Sequence, residues 1–170
     1  MNAGVRTDTI LHPLALVVAG AAIDLGTKAW ARASLEPYAP AVDFLPFVSL
    51  RLSFNEGVSF SMFRAESDFG TATLIGVTAA LTLTMAVWAY RSQGWQRMGL
   101  SAIVAGALAN LVDRIARGSV TDFLGLHFGD WYPFVFNLAD VWISIGAGLL
   151  LAAPLLSAKQ IEAAADDGRQ

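Results

Sequence analysis

Apolar residues gather along this chain in four blocks, each about as long as an α-helix that crosses a bilayer, for which roughly 20 residues suffice. They cover about 12–33, 69–90, 96–116 and 135–156. The connection over 34–68 is too long for a simple turn. Inside it, FVSLRLSF (47–54) alternates, with Val48, Leu50, Leu52 and Phe54 on one face and Ser49, Arg51 and Ser53 on the other. That is the pattern of a half-buried strand. Asn55-Glu56-Gly57 reads as a turn, and VSFSMF (58–63) alternates again, so a small antiparallel sheet on the membrane surface is expected. Residues 91–95 and 117–134 read as connections, the second with Trp131 and Tyr132 suited to an interfacial aromatic belt, and the tail from 158 onward as polar and frayed.

Composition agrees with a membrane domain. Of 170 residues, 55% are hydrophobic and 15% charged. Mean hydropathy is +0.54. Soluble domains carry about a quarter charged residues. One membrane-embedded domain over 1–170 is expected, its surface β-subdomain at about 34–68. The net charge of −3 argues against a nucleic-acid partner. Without cysteine there is no disulfide or thiolate chemistry, and two histidines make a multi-histidine metal site improbable. The first block could be a signal peptide cut near Ala31-Arg32-Ala33, but Asp24 and Lys28 interrupt the approach to that site. Four spans put both termini on one side. The basic residues do not choose that side: Arg6, Arg91, Arg97, Lys159 and Arg169 stand against Lys28, Arg32, Arg51, Arg64, Arg114 and Arg117.

Polar residues inside the spans are costly and mark function. Asp24 and Lys28 share a helix face at i, i+4. They form either a self-neutralising ion pair or a support for a site. Ala102, Gly106, Asn110 and Arg114 form a stripe that runs from small to polar, with Asp113 beside it. Asn137, Asp140, Ser144 and Gly148 form another stripe, expected to face the bundle, with Asp140 either functional or a partner for Arg114 or Lys28. Asp122 lies in GSVTDF just past the third block and alone would pass for a solvated loop acid. Together Asp24, Asp113, Asp122 and Asp140 collect at one end of the bundle. Two carboxylates about 3 Å apart share one proton, so one takes a proton from water while the other donates. Spacing alone does not say which two.

Five stretches, in order across most of the chain, resemble the bacterial lipoprotein signal peptidase (signal peptidase II) family: DLGTK (24–28), NEGVSF (55–60), GALANLVDR (106–114), GSVTDF (118–123) and FNLAD (136–140). Ala109 stands where the family often has Gly, and Thr121 where an aliphatic residue is common. The resemblance implies an all-α membrane protein of four transmembrane helices, with its small antiparallel β-sheet on the extracytoplasmic surface. It implies an aspartic endopeptidase of the bacterial inner membrane, with cytoplasmic termini and an active site near the outer leaflet. Such an enzyme cleaves diacylglyceryl-modified prolipoproteins before the lipidated cysteine. The catalytic pair carries over to Asp122 and Asp140. Asn55, Gly57, Asn110, Arg114 and Asn137 would orient substrate or the dyad, with Asp24, Lys28 and Asp113 in support. No cofactor or metal is expected. Membrane lipid and the peptide antibiotic globomycin are expected partners, and the chain is expected to be a monomer. The rival reading is an ion- or proton-coupled small transporter. It predicts ionisable residues through the membrane depth, whereas the second block has none.

Overall fold

A computed structural model describes residues 4–57 and 68–167, with side chains over 11–57 and 69–156. Its elements are α1 (Gly4–Ser34), β1 (Val42–Leu45), β2 (Val48–Asn55), α2 (Asp68–Arg91), α3 (Gly94–Arg117), β3 (Val120–Phe128), β4 (Trp131–Phe136) and α4 (Leu138–Asp167). Among the described residues, four helices are long and apolar enough to cross a membrane: Leu11–Ser34, Phe69–Arg91, Gly94–Arg117 and Leu138–Leu156. The third is the hub, since 56% of its most apolar window is buried against at most 28% in the others. The outer helices turn Leu14, Val18, Leu81, Leu83, Leu151 and Leu155 outward, as a lipid-facing surface requires.

Helices in lipid gain little from burying apolar area against one another, so close approach through small residues holds them. α3 and α4 meet in this way. A Cβ on Gly106 would run into the Ala139 carbonyl, and one on Gly146 into the Gly99 carbonyl. A Cβ on Gly20 would come to 3.0 Å from Ala105. Ala21, Ala109 and Ala139 form one buried cluster, so Ala109 packs where a glycine is common in the family.

Among the described residues, four strands form one antiparallel sheet in the order β1-β2-β3-β4. The segment expected to be a connection, 117–134, supplies β3 and the start of β4. β3 hides Val120, Thr121, Asp122 and Phe123 consecutively, so it shows no alternation to read. β4 contains Pro133, which an edge strand tolerates because its outer side has no neighbouring strand to donate to. In consequence the fourth span begins at Leu138 instead of residue 135. The expected strand at 47–54 is β2, but strict alternation fails there. The register slips between Leu50 and Ser53, and the buried positions are Ser49 and Leu52. The alternation at 58–63 lies outside the described residues. The tail past 158 continues α4 to Asp167, in keeping with its many alanines.

One stripe is corrected. Ser144 and Gly148 are exposed rather than turned into the bundle. The buried side of α4 runs through Ala139, Gly146 and Ala153. The Ser144 hydroxyl instead donates back to the Asp140 carbonyl at 2.8 Å.

Candidate active site

α3 ends at Gly118, whose φ of 78° and N–H···O bond to the Arg114 carbonyl (2.8 Å) make a left-handed cap. The chain reverses there and enters β3. Asp113, buried in the last turns of α3, fixes that entry. Its Oδ2 accepts from the Thr121 amide at 2.7 Å, and its Oδ1 accepts from Arg32 at 3.1 Å. Arg117 reaches the same oxygen at 3.3 Å, and Arg32 also donates to the Thr121 hydroxyl at 2.8 Å. Asp113 thus ties α3 to α1 and to the start of β3. Thr121 uses the hydroxyl that an aliphatic residue lacks. Neither Arg32 nor Thr121 stood out in the sequence as a partner.

Asp122 follows, 4% exposed. The Asn137 side-chain amide donates to its Oδ1 at 2.6 Å, and the Asn55 side chain also favours its charged form. Burial outweighs both, and with the nearby Asp140 charge pushes the Asp122 pKa up to about 6.

Asn137 precedes α4 and caps it. Its Oδ1 accepts from the Asp140 amide at 3.1 Å, and the Asp140 carboxylate accepts from the Asn137 amide at 3.2 Å. This is a reciprocal capping box built from Asn and Asp. A third amide of that turn, Ala139, donates to Asp24 Oδ1 across from α1 at 2.7 Å. The orphan amides of a helix N-terminus are therefore used to hold two aspartates. The Asp24–Lys28 pair does more than neutralise itself. Lys28 Nζ lies 2.7 Å from Asp24 Oδ2 and donates to Asn110 Oδ1 at 2.6 Å. Asn110 in turn donates to Asp140 Oδ1 at 3.1 Å. Lys28 thus reaches Asp140 through an amide.

Arg114 makes a long bond, 3.4 Å, to the Asn55 carbonyl, and its Nε is buried without a hydrogen-bond partner. Asn55 Oδ1 accepts from the Gly57 amide at 2.9 Å, and Gly57 takes φ of 96°, a turn that a side chain would resist. An open pocket of about 450 Å³ adjoins Asp122. Its lining includes the polar residues Ser53, Asn55 and Glu56 and the aromatic residues Tyr38 and Phe54. Of these, only Asn55 was singled out in the sequence. The residues singled out on α1, α3, β3 and α4 do converge at one end of the bundle. Among the described residues, no group of three or more His, Cys, Asp or Glu is placed to hold a metal ion.

The comparisons agree with one another. The family model for signal peptidase (SPase) II matches residues 16–156. A lipoprotein signal peptidase of Mesorhizobium japonicum is 36% identical over 141 residues, 83% of each chain. One from Yersinia pseudotuberculosis is 36% identical over 152 residues, 88% of this chain and 89% of that one. A bacterial membrane enzyme solved by the in meso method at 1.9 Å superposes with a TM-score of 0.74 at 21% identity, covering 86% of this chain and 94% of that one, and so shares the fold. By sequence match over most of its length, this chain belongs to the signal peptidase II family.

Proposed function

We propose that this chain is a membrane aspartic endopeptidase that removes the signal peptide from diacylglyceryl-modified prolipoproteins, cleaving before the lipidated cysteine. The observation that carries the reading is Asn137, one residue bonded to the carboxylates of both Asp122 and Asp140. Two acids held by one residue, one through its side-chain amide and one through its backbone N–H, beside an open pocket can share a proton. The ionised member takes a proton from water, and the hydroxide equivalent attacks the scissile carbonyl. The protonated member donates to the developing oxyanion. Collapse of the tetrahedral intermediate breaks the C–N bond, and the amine leaves with the proton drawn from water. Nothing in this sequence of steps requires a metal or cofactor.

The site lies at the sheet end of the bundle, and the start of α1 and the end of α4 lie at the other. This arrangement supports an inner-membrane enzyme with cytoplasmic termini and its chemistry near the outer leaflet. The substrate's acyl chains then remain in the bilayer while its peptide reaches the dyad sideways. Globomycin is expected to compete for the same acids, and the chain to act as a monomer within membrane lipid.

The test is cleavage of a purified diacylglyceryl-modified prolipoprotein, followed by gel shift. Wild type cleaves and Asp122→Asn does not. Equal cleavage by both would remove Asp122 from the chemistry and return it to a loop acid.

A further inference from the structure

Tyr38 is the one non-glycine residue among those described with a positive φ, 58°. Bulky side chains rarely adopt this conformation, and it persists only where the surroundings impose it. Its amide is pinned to β2 by donating to the Leu52 carbonyl at 2.9 Å. Its ring meets Phe54 edge-on, with centroids 6.2 Å apart. Burial does not reward the arrangement, because the residue is 64% exposed. The exposed ring stands instead at the rim of the pocket beside Asp122. In register, Ser53 and Phe54 lie opposite Asp122 and Thr121, so this wall is carried on the strand that borders the dyad.

We infer that Tyr38 is a substrate-binding residue, its ring forming the wall on which the substrate polypeptide just beyond the scissile bond lies. This rests on the proposed peptidase reading. Such a substrate has three parts. The apolar signal segment and the acyl chains stay in hydrocarbon. Only the exported polypeptide is suited to an open pocket lined by Ser53, Asn55 and Glu56 together with aromatic rings. A rigid aromatic surface accepts varied side chains and backbone at small entropic cost, which fits a segment that differs from one prolipoprotein to the next.

The experiment compares steady-state cleavage of two diacylglyceryl-modified substrates, a full prolipoprotein and a lipopeptide that ends at the modified cysteine. Tyr38→Ala is expected to raise KM for the full substrate about fivefold to tenfold, with kcat within about twofold. On the truncated lipopeptide it matches wild type, and Tyr38→Phe matches wild type on both. Tyr38→Gly, whose backbone accepts the angle freely, repeats the KM effect with an unfolding temperature at or above wild type. An unchanged KM for Tyr38→Ala on the full substrate overturns the inference, and so does an equal loss on both substrates. Wild type that cleaves neither substrate overturns the peptidase reading, and this inference with it.

Discussion

Asn137 does the work of three contacts with one side chain and one amide. Its Nδ2 satisfies Asp122, its Oδ1 caps the Asp140 amide, and its own N–H holds the Asp140 carboxylate. Asn137→Ala removes the two side-chain contacts and leaves Asp122 short of a donor in a buried place. Each lost cap or orphaned acceptor costs about 1–3 kcal/mol. The expected result is a lower unfolding temperature together with loss of cleavage, measured on purified protein. Asp122 itself adds a pH dependence. Its folded pKa of about 6 lies above the ordinary carboxyl value of 3.8. The neutral acid is therefore the form the fold prefers. Its stabilising share is fully present below pH 3.8 and is lost as pH rises through 6, a difference of at most about 3 kcal/mol. Asp122→Asn should flatten the change in unfolding temperature between pH 4 and 7 and be the more stable protein at pH 7. For wild type, kcat/KM should fall on the alkaline side from about pH 6, an apparent value belonging to the dyad as a pair. A profile flat to pH 8 would contradict a shared proton.

At the scale of elements, close packing makes a sharper prediction than polarity does. Gly106→Ala drives a methyl into the backbone at the start of α4, the turn that carries Asp140. Backbone cannot swing aside as a side chain can, so overpacking costs about 1–3 kcal/mol or more and shifts the acid from its partners. Gly148→Ala meets nothing within 4 Å and gains about 0.5–1 kcal/mol of helix propensity. Unfolding temperature and cleavage measured side by side should separate the two: both fall for the first variant, and neither falls for the second. The contrast also explains what could be read in advance. Gly106 and Asn110 were legible because small-to-polar steps on α3 follow the face that packs. On α4 the same spacing misled, since Asn137 and Asp140 act through the helix end, where caps decide their place, while Ala139, Gly146 and Ala153 make the buried side. β2 was legible from its alternating residue types, although its burial does not follow them. β3 was not, because a strand covered on both faces has no period to show, and so the sheet that frames Asp122 was assigned only in part. Tyr38 was missed for a related reason. Its position depends on a backbone angle, which no residue type announces.

Across the whole molecule, one polar chain ties three helices together at the site: Asp24 to Lys28, Lys28 to Asn110, and Asn110 to Asp140, with Asp24 also holding the Ala139 amide. Asp24 and Lys28 are fully buried. Breaking such a pair leaves an uncompensated charge in a low-dielectric interior, whereas replacing both members is often close to neutral. Lys28→Met alone should therefore cost about 3–5 kcal/mol and yield little folded protein. Asp24→Asn combined with Lys28→Met should recover most of the unfolding temperature, because the Asn oxygen can still accept from Ala139. Activity should not recover with it. Without the ammonium, Asn110 Oδ1 has lost its donor, so the amide that points at Asp140 is free to turn. A double variant that is stable, with kcat lowered about tenfold and KM little changed, would show that the pair orients Asp140. If stability and kcat returned together, the pair would be a structural bolt between α1 and α4, and the orientation of Asp140 would rest on Asn137 alone.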